Sequence, residues 1–98
     1  MLPDEKWQRT RKDYQLVRDQ FVLTELDLAI TFAERALLSR NTDTTQRNIL
    51  LAQEAYSVAN RFLSQASLTW KMKQDLQGRI AKLHRISRQF LLAGLRLF

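Results

Sequence analysis

Residues 49–63 read ILLAQEAYSVANRFL, and Ile49, Ala52, Tyr56, Ala59, Phe62 and Leu63 recur in them at steps of three and four. Ala66 extends the row, and Leu51, Ala55 and Val58 run beside it. Such spacing belongs to an α-helix whose apolar arc covers about half of its circumference, wider than one seam requires. A helix of this kind is expected to touch two partners and to tie them together. Its polar remainder, Gln53, Glu54, Ser57, Asn60, Arg61 and Ser64, is expected to face water.

Two joints bound this segment. In SRNTDTTQRN, residues 39–48, Asn41, Thr42 and Asp43 are turn formers, and Asp43 with Gln46 three residues later reads as a capping box. On the other side, Thr69 or Ser67 can accept a hydrogen bond from the free amides of a following helix. The spacing predicts helices over about 5–39, 44–66 and 69–96, the first open to a bend near Thr24. Two glycines and one proline in 98 residues leave little other punctuation. Short joints make consecutive helices antiparallel neighbours. The expected fold is therefore all-α: one domain over residues 1–98, an antiparallel three-helix bundle with long helices.

The flanking helices carry apolar rows of their own. In the third, Met72, Leu76, Leu83, Ile86 and Phe90 alternate steps of four and three, with Arg79 where an apolar residue is due. Ile80 can fill that gap while Arg79 snorkels outward. In the first, Val22, Leu26, Ala29, Ile30, Ala33, Ala36 and Leu37 form one stripe; Tyr14, Val17, Phe21, Leu28 and Phe32 form another. The second begins in WQRTRKDYQLVRDQF, residues 7–21, where Trp7, Tyr14 and Phe21 stand seven apart among Arg9, Arg11, Lys12 and Arg18. Residues seven apart on a helix drift only about 20° around the axis, so these aromatics line up as a core stripe does. Readers of single-stranded nucleic acid show aromatics on an open sheet or cleft instead. Asp4, Glu5, Asp13 and Asp19 also offset nearly all of the nearby cations. The first helix is thus expected to be an ordinary solvated core helix that meets both others.

Composition narrows the function classes. No cysteine means no disulfide framework, thiolate metal site or thiol nucleophile, and fits a reducing, cytoplasmic setting. No secretory or membrane-spanning segment is apparent. The net charge of +6 is unevenly placed. Residues 1–70 hold nine bases and nine acids, while Lys71, Lys73, Arg79, Lys82, Arg85, Arg88 and Arg96 face Asp75 alone. His84 is the only histidine and has no carboxylate three or four positions away. No orienting partner for a general base is therefore visible. Asp27 and Glu34 read as a solvated face, and Gly78 and Gly94 sit singly inside the third helix, with no phosphate-binding loop. No enzyme activity, cofactor or metal is expected.

ELDLAITFAERAL, LLAQEAYSVANRFL and WKMKQDLQGRIAKLHRIS, between Glu25 and Ser87, resemble in order and pattern the helices of MIT-type domains, the tetratricopeptide-related three-helix bundles. That resemblance implies docking of short amphipathic helices from partner proteins. PDEKWQRTRKDY and DLAITF are also similar to a group of uncharacterised small bacterial helical proteins, which implies no activity. The expectation is a non-catalytic module that binds another protein, an acidic or amphipathic helix, through Lys71, Lys82, Arg85, Arg88, Leu95 and Phe98. The alternative is nucleic acid or an anionic surface on the same cations. The tail LLAGLRLF, residues 91–98, overhangs the expected core. It is expected to pack within the monomer, on the 38–44 joint, or on the same tail of a second molecule as a symmetric dimer.

Overall fold

The computed structural model describes the backbone of residues 3–64 and 68–98, and the side chains of residue 11 and of residues 13–64 and 68–98. Three α-helices follow in order: α1 (Pro3–Leu38), α2 (Thr42–Leu63) and α3 (Trp70–Leu92). α1 runs unbroken through Thr24. The chain is an all-α, up-down-up three-helix bundle, as its apolar rows require. The side chains of Trp7 and Lys12 lie outside the described residues, as do Ala66 and Ser67.

Local chemistry sets the helix ends. Asn41, in extended backbone, accepts the Thr44 N–H on its side-chain oxygen at 3.1 Å and so caps α2. Ser39 Oγ accepts the Asn41 N–H and donates to the Asn41 carbonyl, holding the joint. The cap therefore stands two residues before the expected Asp43, which instead sits in the first turn, where the helix dipole favours an acid. Thr69 caps α3 by accepting the Met72 N–H at 3.3 Å. α3 stops at Leu92, short of the expected 96, because Gly94 takes φ +77°. The Leu95 N–H then reaches the Phe90 carbonyl at 2.8 Å and the Gly94 N–H reaches Leu91 at 3.1 Å, a Schellman closure.

The core is a single cluster. α1 contributes Val22, Leu23, Leu26, Ala29, Ile30, Ala33 and Ala36; α2 contributes Ile49, Ala52, Ala55 and Ala59. All five apolar positions expected of α3 are buried, and Ile80 packs against them. The helix that joins the others is α1, not α2. Both α2 and α3 pack on α1, while among the described residues no Cα of α2 lies within 8 Å of one in α3. Ala52, Ala55 and Ala59 let α2 approach α1 closely, and its Gln53 and Tyr56 meet the C-terminal tail in place of α3. Gln53, expected in water, is half-buried, and Asp19, counted among the solvated charges, is buried.

The second stripe of α1 is not a core stripe. Tyr14 is 70% exposed, Val17 69%, and Phe21 and Leu28 about 40%. For Tyr14 and Val17 length is the reason, since 36 residues make a helix of about 54 Å against about 33 Å for the 22 of α2, while Leu28 lies at the edge of α2 and Phe32 packs against the core. Phe21 meets Phe62 edge-on, ring centroids 5.4 Å apart, one residue before α2 ends. The turns of α1 preceding that contact have no α2 beside them.

The tail closes the gap between α2 and α3. Leu97 is fully buried, its carbonyl accepts from Gln53 Nε2 at 2.7 Å, and the Phe98 ring lies 4.5 Å from Tyr56. It therefore packs within its own chain on the middle of α2, away from the 38–44 joint, leaving Leu91 and Leu92 exposed. Two substitutions check this packing by urea denaturation. Leu97→Ala is expected to cost about 2–5 kcal/mol through a lost buried side chain. Ala59→Phe is expected to cost about 1–3 kcal/mol by forcing α2 off α1.

Candidate functional site

The cations of α3 divide by the direction their helix positions give them. Arg79 and Lys82 turn toward α1. Arg79 forks onto Asp27, Nε to Oδ1 at 2.7 Å and Nη2 to Oδ2 at 3.2 Å, while Nη1 donates to the Asp75 carbonyl. The hydrogen bond to Asp27 is the main cause holding the Arg79 pKa above its ordinary value, against the opposing effect of partial burial. Lys82 Nζ pairs with Glu34 at 3.2 Å. Asp27 and Glu34 are thus not a plain solvated face, and Arg79 does not snorkel outward. Long side chains at the flank of one helix reach carboxylates on the next, a contact set by packing angle rather than by either sequence row.

These two pairs straddle the α1–α3 interface. Between them lies an open polar cleft of about 540 Å³ bordered by Asp27, Glu34, Gln74, Gly78, Arg79 and Lys82. The Lys82–Glu34 pair also borders a neighbouring groove of about 500 Å³, whose apolar surface comes from Leu37, Leu38 and Ile86. Leu38 is 82% exposed at its mouth. Apolar floor and ionic rim together form a surface able to hold an amphipathic helix.

Lys71, Arg85 and Arg88 are exposed and make no ion pair among the described residues. Arg85 and Arg88 share the outward side of α3, with Arg85 following Lys82 by three residues. Lys71 stands about 21 Å before Arg85 along the helix axis, beside the 75%-exposed Trp70, which belongs to no apolar row. Leu95 and Phe98 are partly exposed on the tail, Phe98 turned onto α2. The six residues expected to bind a partner therefore do not form one site; Lys82 borders the groove, and the rest are spread over the outer side of α3 and the tail.

His84 is exposed. Among the described residues there is no cluster of three or more metal-ligating side chains, and no helix is long and apolar enough to cross a membrane. Neither a protein-family model, nor a curated protein, nor a solved structure matches this chain.

Gly78 stands at the edge of the polar cleft, and a methyl group there would meet no atom within 4 Å. Gly78→Ala is therefore expected to stabilise the fold by about 1 kcal/mol through helix propensity alone, seen as a higher urea midpoint with an unchanged slope.

Proposed function

We propose that the chain is a non-catalytic helical module that binds another protein by taking an acidic amphipathic helix into the α1–α3 groove. The observation that carries this reading is the apolar groove in which exposed Leu38 and half-buried Leu37 lie over the buried Ile86, bordered by Lys82 and followed on the outer side of α3 by Arg85, which has no ion pair among the described residues. An apolar face of the partner would cover Leu38, and its acids would meet Arg85 and compete with Glu34 for Lys82. Charge there steers the partner and sets its orientation, while the apolar contact supplies most of the affinity. The resemblance of residues 25–87 to MIT-type domains supports the same reading.

A second reading, contact with nucleic acid or another anionic polymer, rests on Lys71, Arg85 and Arg88, all exposed and without an ion pair among the described residues. The two separate by experiment. Titration of an acidic amphipathic peptide into the full chain is expected to shift the amides of Leu37, Leu38 and Ile86. Leu38→Asp, at an exposed position, is expected to weaken binding about tenfold or more. Binding to mixed-sequence DNA or RNA that falls steeply with salt, with a slope reduced by changing Lys82, Arg85 and Arg88 to Gln and no effect from Leu38→Asp, would replace the first reading with the second.

A further inference from the structure

The outer face of the α1–α2 hairpin combines an apolar floor with an alternating charged rim. Tyr14, Phe21 and Leu28 stand at seven-residue intervals on α1, with Val17 and Thr24 between them at the remaining seam positions. That is a coiled-coil seam on a helix whose own core faces elsewhere. Where α2 runs alongside, the seam opens into a cleft of about 250 Å³ formed by Leu28, Phe32, Leu51 and Val58. Two acids, Glu25 and Glu54, line this cleft, and among the described residues no cation does. Along the same row of α2, Arg47 precedes Glu54 by seven residues and Arg61 follows it by seven, all three exposed. The rim therefore reads positive, negative, positive at heptad spacing.

We propose that this face docks an amphipathic helix of a partner protein whose flank carries an acid, a base and an acid seven residues apart. Its apolar side covers Leu28, Phe32, Leu51 and Val58 and continues over Phe21, Val17 and Tyr14. From Tyr14 to the level of Arg47, about one turn past Phe32, the face is about 33 Å long, which sets the partner segment at about 22 residues. The central base lies between Glu25 and Glu54, and the terminal acids reach Arg47 and Arg61. This site is separate from the α1–α3 groove, prefers the opposite charge at its centre, and stands or falls without it.

Two synthetic helical peptides with identical apolar positions, one with an acid–base–acid flank and one with base–acid–base, test the assignment against the full chain. The first is expected to bind about tenfold more tightly at low salt, a preference that shrinks at high salt as exposed ion pairs are screened. Amide shifts are expected at Leu28, Leu51 and Val58 and not at Leu37 or Ile86. Glu54→Lys, at an exposed position, is expected to abolish the preference for the central base, and Val17→Glu to weaken both peptides. Equal affinity for the two peptides, or shifts confined to the α1–α3 groove, overturns the proposal. So does a concentration-dependent dimer of the free chain that Val17→Glu dissociates, which would assign the face to a second copy.

Discussion

Close approach of α1 and α2 along their buried alanines is the constraint on which the rest of the bundle depends. Ala29, Ala33 and Ala36 on one helix and Ala52, Ala55 and Ala59 on the other are all buried. The Phe21–Phe62 contact marks the antiparallel register, in which the two rows are offset by more than a turn and overlap near Ala29 and Ala52. Small side chains bring two backbones together over several turns, and the many weak dispersion contacts that result hold them. Among the described residues α2 makes no close approach to α3. The space left between them must be filled by something else, and Leu97, brought round by the turn at Gly94, fills it.

With α1 as the shared partner, the surfaces available for binding are its two flanks. On the α3 side, ion pairs from Asp27 to Arg79 and from Glu34 to Lys82 cross the interface and leave a groove with an apolar end. On the α2 side, the short alanine row leaves Leu51 and Val58 half-covered beside Leu28 and Phe32. Both grooves are consequences of how closely the helices pack. A bundle with bulkier residues at Ala52, Ala55 and Ala59 would stand further from α1 and form different clefts.

Much of this was legible in the sequence. Helix number, the joints to within a few residues, and every buried position of the α3 row follow from three- and four-residue spacing, because burial on one face leaves a periodic trace. What spacing could not give is partnership. The seam of Tyr14, Val17, Phe21 and Leu28 has core periodicity whether it faces its own chain or another, and only the length mismatch of α1 and α2 shows which helix lies beside it. Arg79 interrupts an apolar row in the same way whether it points to water or reaches Asp27. Gly94 inside an apparently helical run and Asn41 ahead of an apparently better cap are single-residue events decided by backbone angles. The candidate binding residues were legible only as cations of α3 and apolar residues of the tail; the division of those cations into a groove edge and an outer face depends on the angle at which α3 crosses α1.

Per-residue hydrogen exchange of the native chain tests most directly whether α1 is the element that holds the bundle together. Amides from Val22 to Ala36 should be the slowest to exchange, opening only with global unfolding. Those of α3 and the tail should exchange through smaller openings, and residues 11–17, beyond the end of α2, should show little protection. Slowest exchange in the middle of α2 or α3, or protection of residues 11–17 equal to that of the α1 core, would contradict this arrangement.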